Sequence, residues 1–157
     1  MQPQSRETRT TPHQSEQDLL ITHARLIDGT GAGPQKDKSI LIKGGMIADI
    51  GDMQAAEGAR VLDADGATVL PGIIDAHVHL QSVPGSMFRK DPEHEVKEQR
   101  LHHLRAYLAC GVTTVLDNLI AAPVLKELQD HVKAGGAGPR IYALGPGFYP
   151  PDGYLDH

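Results

Sequence analysis

The stretch that decides the fold is residues 69–80, which read Val69-Leu70-Pro71-Gly72-Ile73-Ile74-Asp75-Ala76-His77-Val78-His79-Leu80. It is an apolar run that carries two histidines two positions apart. Successive side chains of a β-strand point to opposite faces, so a strand here places Asp75, His77 and His79 on one face. Neutral imidazole is the commonest protein ligand for zinc and similar metals. The spacing fits a metal site, but it also fits a polar, solvated strand face, and the pattern alone leaves both interpretations open.

The residues around the two histidines resemble the metal-binding segment of the amidohydrolase superfamily, particularly of its imidazolonepropionase-like and prolidase-like members. In that superfamily an L-P-G-x-I-D-x-H-x-H segment ends a small β domain and forms the first strand of a (β/α)8 barrel. The matching positions are Leu70, Pro71, Gly72, Ile74, Asp75, His77 and His79. The resemblance implies a metal-dependent hydrolase of C–N bonds in a non-peptide amide, a cyclic amide or a dipeptide. It also implies one or two divalent ions in the complete enzyme, with Zn²⁺ as the expected metal.

The chain before this stretch has the pattern of a small β domain. Short strand patterns recur at 19–21, 24–27, 39–43, 46–50, 60–64 and 67–70. Gly44-Gly45 is typical of a tight hairpin, and Asp65-Gly66 of a second turn. Residues 1–18 are polar and lack an apolar segment, which predicts a disordered tail and not a secretory signal. We therefore predict a β domain over 19–70. The resemblance implies that it is an incomplete sandwich, because family members complete it with C-terminal strands.

From residue 71 onward, strand and helix patterns alternate. Helices are predicted over 92–109 and 123–134, and strands over 69–75, 112–116 and 140–145. This order predicts two βαβ units, with three adjacent parallel strands and both helices on one side. Residues 111–115 and 138–141 also resemble the second and third strands of amidohydrolase barrels. The predicted fold class is α/β: the small β domain, followed over 71–157 by the first three β-strands of a TIM-like (β/α)8 barrel.

The resemblance also implies roles for individual residues. His77 and His79 would be metal ligands, and Asp75 would accept an imidazole N–H and so orient the ring. Family members add a carboxylated lysine or a glutamate, two later histidines and a strand-eight aspartate. No position here matches these, so no catalytic residue is assigned. The candidates for the mouth of the active site are Asp117, Tyr149, Tyr154 and His157. For Asp117, a helix-capping or loop role fits the sequence at least as well. Helices form the outside of such a barrel, so histidines on the predicted helices are expected to be solvated or packing residues. There are four of them: His94, His102, His103 and His131.

Composition excludes several classes of protein. The net charge is −5, and the 15 Lys and Arg residues are scattered, so a nucleic-acid partner is not expected. A membrane helix is not expected either, because no apolar run approaches about 18 residues. The single Cys110 lies among apolar residues without a basic neighbour, which predicts a buried structural thiol. These features predict a cytoplasmic protein with a small-molecule substrate, and the complete enzyme could form a homo-oligomer.

Two functions of different classes fit the sequence. The first is the N-terminal portion of a metal-dependent amidohydrolase, of which this chain alone would be inactive. The second is a non-catalytic truncated product that retains only a partial metal site. Zinc in a catalytic site normally has three protein ligands, and His77 with His79 supplies two. The presence or absence of ligands from later strands therefore separates the two hypotheses.

Overall fold

The computed structural model describes residues 17–54, 57–82 and 93–146. Most of the predicted tail over 1–18 thus lies outside the described residues. The protein has a mixed α/β fold, and it divides into two compact units, Met1–Pro71 and Gly72–His157. No helix among the described residues is both long and apolar enough to cross a membrane.

The first unit is built on a five-stranded sheet. Its strands are β1 (Leu19–Leu26), β2 (Gln35–Lys43), β3 (Met46–Gly51), β4 (Arg60–Asp63) and β5 (Thr68–Val69). The strand order is β3-β2-β1-β4, and β5 also pairs with β1. Strands β2 and β3 form the predicted antiparallel hairpin, in which Gly44 and Gly45 have φ of 54° and 76°. Both values lie in the left-handed region that glycine adopts without strain, so the hairpin prediction is confirmed.

Strand β1 joins the two predicted strands at 19–21 and 24–27 into one. His23, with φ of 50°, lies between the two halves, where the register with β2 shifts. The first half of β1 pairs in parallel with β4, and the second half pairs in parallel with β5. The turn at Asp65-Gly66 links these two strands, and its Gly66 N–H donates to the His23 carbonyl at 2.8 Å. The predicted turn is therefore confirmed, but its flanking strands pair with β1 and not with each other.

The imidazole of His23 forms an ion pair with Asp63 at the surface of this sheet. Its Nδ1 lies 2.9 Å from Oδ1 of Asp63, which also accepts the Asp65 N–H at 2.9 Å. The hydrogen bond to Asp63, together with the carboxylate charge, raises the pKa of His23 above its ordinary value of 6.5. The Asp65 N–H and then the His23 hydrogen bond lower the pKa of Asp63. Each partner thus favours the charged form of the other.

This pair is expected to make a small, pH-dependent contribution to stability. Because the pKa of His23 is raised in the folded chain, its contribution is complete below 6.5 and is lost as the pH rises through the raised value. An NMR titration of the His23 ring should give a midpoint above 6.5, and Asp63→Asn should lower that midpoint. Equal His23 midpoints in the two proteins would contradict the assignment.

The second unit contains a three-stranded parallel sheet and two helices. Along the chain these are β6 (Ile73–Val78), α1 (Glu93–Ala109), β7 (Val112–Asp117), α2 (Ala122–Lys133) and β8 (Arg140–Ala143). The strand order is β6-β7-β8, with both pairings parallel. The predicted adjacency and direction of the three strands are confirmed, and both predicted helices agree with the observed ones to within one residue at each end.

One core joins the sheet of the second unit to both helices. Its buried side chains are Val78, Leu80, Leu104, Val115, Ile120, Leu128 and Ile141. Leu104 of α1 and Leu128 of α2 are each fully buried in this one cluster. Both come from the apolar stripes that the helical period predicts. This shared core fixes β6, the strand that carries His77, against the helices.

The predicted start of the first parallel strand, at residue 69, is wrong. Val69 belongs to β5 in the first unit, where its carbonyl accepts the Ile27 N–H at 2.9 Å. Pro71 has no N–H to continue a ladder, and β6 begins only at Ile73. Gly72 then passes close to β7: a Cβ there would lie 2.0 Å from Oγ1 of Thr113. The Pro-Gly pair therefore separates two strands of different sheets.

The prediction that Cys110 is a buried structural thiol is also wrong. Cys110 is a free cysteine with an exposed side chain. It follows the last residue of α1, and its N–H still donates to the carbonyls of Ala106 and Tyr107. Gly111, with φ of 79°, then reverses the chain into β7. The apolar neighbours in sequence belong to the end of a helix, and the turn carries the thiol outward.

Candidate metal centre

Two imidazole rings meet at the carboxyl end of β6. His77 is the penultimate residue of the strand, and His79 follows its last residue. Both side chains are exposed, whereas Val78 between them is only 4% exposed. The ring centroids are 5.3 Å apart, with the ring planes at 82°. Because Val78 is anchored in the core, both histidines turn to the other side of the backbone, where their rings touch edge to face.

The chemistry and spacing of this pair suit a divalent ion. Zn–N bonds of about 2.0–2.1 Å in a tetrahedral arrangement place the centroids of two imidazoles that share an ion roughly 5 Å apart. The centroids of His77 and His79 are 5.3 Å apart without any ion. The separation of the two rings is thus compatible with both being ligands of one ion. Among the residues that the structure describes, no group of three or more His, Cys, Asp or Glu side chains is placed to hold a metal. Within the described residues, the pair could therefore provide two ligands and no more.

Asp75 contacts the backbone beside the pair. Its half-buried carboxylate accepts the backbone N–H of His77 at 3.1 Å. The pairing of β6 with β7 is irregular at this point. Asp75 pairs with Val115 and Val78 pairs with Asp117, so β6 advances three residues while β7 advances two. Such a bulge interrupts the regular alternation of side chains. The observed bond is to the backbone, and the bond from Asp75 to an imidazole N–H stays a prediction.

Asp117 ends β7 beside the histidine pair, and it is fully buried. Its Oδ2 accepts the Leu80 N–H at 2.6 Å, and its Oδ1 accepts the Leu119 N–H at 2.8 Å. Sequence reasoning placed Asp117 at the strand end correctly and left two roles open for it, one at the mouth of the site and one in helix capping or a loop. The structure adds that both oxygens hold backbone groups of neighbouring segments. Its role in lining the mouth stays a prediction.

Tyr107 of α1 is a residue that sequence reasoning missed. It is half-buried and packs against the core of the second unit. Burial raises the pKa of its phenol, and the negative charges of Asp75 and Asp117 raise it further. Tyr107 therefore keeps its proton throughout the ordinary pH range. The sequence did contain a signal for this position: Tyr107 lies three residues after Leu104, so it belongs to the face of α1 that packs on the sheet.

The remaining predicted residues lie elsewhere. His102 and His103 are neighbours on α1, with ring centroids 6.3 Å apart at a tilt of 57°. The ring of His131 covers Gly136, where a Cβ would lie 2.3 Å from it, so it packs against backbone. Three predicted mouth residues lie outside the described residues: Tyr149, Tyr154 and His157. In the described part of the chain, Asp75 and Asp117 thus contact backbone N–H groups on either side of the pair formed by His77 and His79.

Comparison with known proteins gives the family of the chain. A model of the amidohydrolase family matches residues 68–153. A dihydroorotase of Leifsonia xyli is 36% identical over 110 residues, which are 70% of this chain and 22% of that protein. An N-acyl-D-aspartate deacylase of Alcaligenes xylosoxydans is 42% identical over 65 residues, or 41% of this chain and 13% of the relative. Among solved structures, a Xaa-Pro dipeptidase with bound methionine is 31% identical with a TM-score of 0.69, over 84% of this chain and 34% of that one.

The family match covers more than half of the chain and includes the whole segment from β5 to β8. The chain belongs to the amidohydrolase family. It spans about a fifth of the length of the dihydroorotase and about a third of the dipeptidase. The family resemblance drawn from the sequence is therefore confirmed.

Proposed function

We propose that this chain is the N-terminal portion of a metal-dependent hydrolase of C–N bonds, in which His77 and His79 hold a divalent ion. One observation carries the proposal: the two imidazoles lie in edge contact, with centroids 5.3 Å apart, at the carboxyl end of β6 and within the segment that resembles the family motif. Zn²⁺ is the proposed metal, because imidazole nitrogen is one of its preferred ligands. The complete enzyme would hold one or two ions.

The proposed substrate is a small molecule with an amide bond. The names deacylase and dipeptidase, given to two of the similar proteins, denote the cleavage of such bonds. A dihydroorotase is also among the similar proteins. We therefore propose a non-peptide amide, a cyclic amide or a dipeptide as the substrate class. The proposal also includes a cytoplasmic location and no nucleic-acid or membrane partner, and homo-oligomerisation is proposed for the complete enzyme.

The proposed architecture is an N-terminal β domain followed by the first three strands of a (β/α)8 barrel. Active sites of such barrels lie at the carboxyl ends of the strands, and His77 and His79 lie at the carboxyl end of β6. Several large apolar side chains of the second unit are exposed: Ile73, Ile74, Leu108, Tyr142 and Leu144. Further strands of a barrel would bury most of these side chains in apolar contacts. The β domain likewise exposes Met46, Ile47, Val61 and Leu62, as an incomplete sandwich would.

The ion, when bound, would lower the pKa of a water molecule and polarise the scissile carbonyl. The residues of this chain would bind the ion. His77 and His79 would each contribute a ring nitrogen, and Val78 and Leu80 anchor the backbone of both in the core. Asp75 holds the His77 N–H and would, in the loaded site, orient an imidazole. The remaining ligands and the general base would come from later strands, as the family resemblance implies.

The competing function is a non-catalytic product that retains a partial metal site. It is favoured by the two-ligand set, since no third ligand is placed beside the pair among the described residues. The coding DNA after the codon for His157 separates the two functions. We expect an in-frame continuation, or a neighbouring frame, that encodes further barrel strands with additional histidines and an aspartate. Its absence would favour the competing function.

The 1–157 chain alone is expected to be inactive and prone to aggregation. Two imidazoles hold a metal weakly, and in a three-stranded sheet β6 and β8 present unpaired backbone edges. The test is an assay of the soluble fraction, loaded with zinc or manganese, against cyclic amides, N-acyl amino acids and prolyl dipeptides. A metal-dependent turnover that His77→Ala removes would contradict the expected inactivity, and it would mean that self-assembly supplies the missing ligands.

A further inference from the structure

Asp117 joins the ends of all three parallel strands, with its carboxylate contacting the segments after β6 and β7 and its backbone carbonyl contacting the segment after β8. Its Oδ2 accepts the N–H of Leu80, just after β6, at 2.6 Å. Its own backbone carbonyl accepts the N–H of Leu144, just after β8, at 3.0 Å. Its Oδ1 closes the turn after β7 by accepting the Leu119 N–H at 2.8 Å. One fully buried residue thus connects the edge of the sheet from which the histidine rings project.

These bonds hold the backbone on the carboxyl side of the histidine pair. Leu80 directly follows His79, so the bond from its N–H to Asp117 restrains the peptide that carries His79. The Val78 carbonyl, between the two histidines, accepts the Asn118 N–H at 3.2 Å. On the amino side, Asp75 holds the His77 N–H at 3.1 Å. The backbone is therefore tied before, between and after the two histidines.

A carboxylate is well suited to the contact with Leu80. A hydrogen bond to a charged acceptor is stronger than a neutral one, and a buried carboxylate without partners would be strongly unfavourable. Both oxygens of Asp117 have a backbone donor, so the charge is compensated by two N–H dipoles. Because the side chain lies in the core, it is not placed among the exposed rings as a ligand.

We propose that Asp117 is a positioning residue for the histidine pair: its bond to the Leu80 N–H keeps the His79 ring against that of His77. This inference rests on the proposed function only insofar as the paired rings serve to bind a metal. The placement itself concerns the metal-free chain. Sequence reasoning considered Asp117 for the mouth of the site or for a capping or loop role, whereas the geometry assigns it to the support of the strand end that carries the two histidines.

The test uses the 1–157 chain with Asp117→Ala and Asp117→Asn. In the metal-free protein, NMR follows the contact between the two imidazole rings and the exchange of the Leu80 amide. In the loaded protein, the absorption spectrum of Co²⁺ reports the coordination of the pair. For Asp117→Ala we expect loss of the ring contact, exchange of the Leu80 amide faster by about tenfold or more, and Co²⁺ binding weaker by about tenfold or more. Asp117→Asn keeps one acceptor oxygen and should give an intermediate result.

Asp130→Asn is the matched control. Asp130 lies on α2, where it pairs at the surface with Lys126, one turn earlier. Its substitution removes one carboxylate from the same unit without touching the edge of the sheet. A residue that only stabilised the fold would lower the folded fraction but leave the ring contact and the Co²⁺ spectrum of the folded protein unchanged. The control is expected to leave both unchanged.

The outcomes separate this inference from the proposed function. If the unsubstituted chain binds no Co²⁺, the proposed function fails, and the ring contact in metal-free protein still decides the role of Asp117. A folded Asp117→Ala chain with the ring contact and the Leu80 exchange unchanged would overturn the inference. If Asp117→Ala does not fold, Asp117→Asn decides. Unfolding of that isosteric variant as well would also overturn it, because Asp117 would then be required by the fold and not by the pair.

Discussion

Replacing His77 by alanine is expected to remove most of the Zn²⁺ or Co²⁺ binding of the chain, and replacing His79 should do the same. The two rings are linked through one rigid strand end, so the second ligand binds at a high effective concentration once the first is engaged. Losing that chelate weakens binding on the order of 10²-fold or more. Among the described residues no third ligand is placed to compensate. Isothermal titration calorimetry with Zn²⁺ gives the affinity directly.

The control for this prediction is a second pair of histidines on the same chain. His102 and His103 lie on α1, with ring centroids 6.3 Å apart. Adjacent residues on a helix point about 100° apart, so their nitrogens are poorly placed to share an ion. Alanine at either position should leave the affinity unchanged. Equal losses from all four substitutions would indicate adventitious binding at the surface, and the assignment of His77 and His79 would be wrong.

The sequence predicted the parts of the fold that depend on local periodicity. The apolar stripes that contain Leu104 in α1 and Leu128 in α2 predicted helices that pack on the sheet. The β-branched run at 112–116 predicted a buried strand. Two histidines at a strand period predicted rings that meet, and their centroids lie 5.3 Å apart. These features follow from the spacing of side chains along one element, so no long-range information is needed.

The parts that depend on pairing between distant segments could not be predicted. Val69 continues the apolar run of β6 in sequence, but its carbonyl accepts the N–H of Ile27, and both residues belong to the first unit. The bond between Asp117 and Leu80 joins residues 37 positions apart, and no local pattern signals it. Cys110 has apolar neighbours in sequence, yet the turn at Gly111 exposes it. In each case the contact or the exposure depends on the three-dimensional fold and not on the neighbouring residues in sequence.

Replacing Leu104 by alanine is expected to destabilise the second unit by about 2–5 kcal/mol, the range for deleting a buried leucine side chain in a packed core. Leu104 is fully buried, where it joins α1 to β6, β7 and α2. The backbone of Gly138 also lies against it: a Cβ there would be 3.2 Å from Cβ and Cδ1 of Leu104. Since glycine has no side chain to move inward, the space left by the substitution should remain a cavity.

Leu108→Ala is the matched control, one helical turn later on the same helix. Leu108 is 37% exposed, so its truncation should cost less than about 1 kcal/mol. Urea unfolding followed by tyrosine fluorescence suits the test, because all four tyrosines lie in the second unit and the chain has no tryptophan. Equal costs for the two substitutions would mean that α1 does not pack through Leu104. A large cost at Leu104 alone would instead show that the core under β6, and with it the support of His77 and His79, depends on this one side chain.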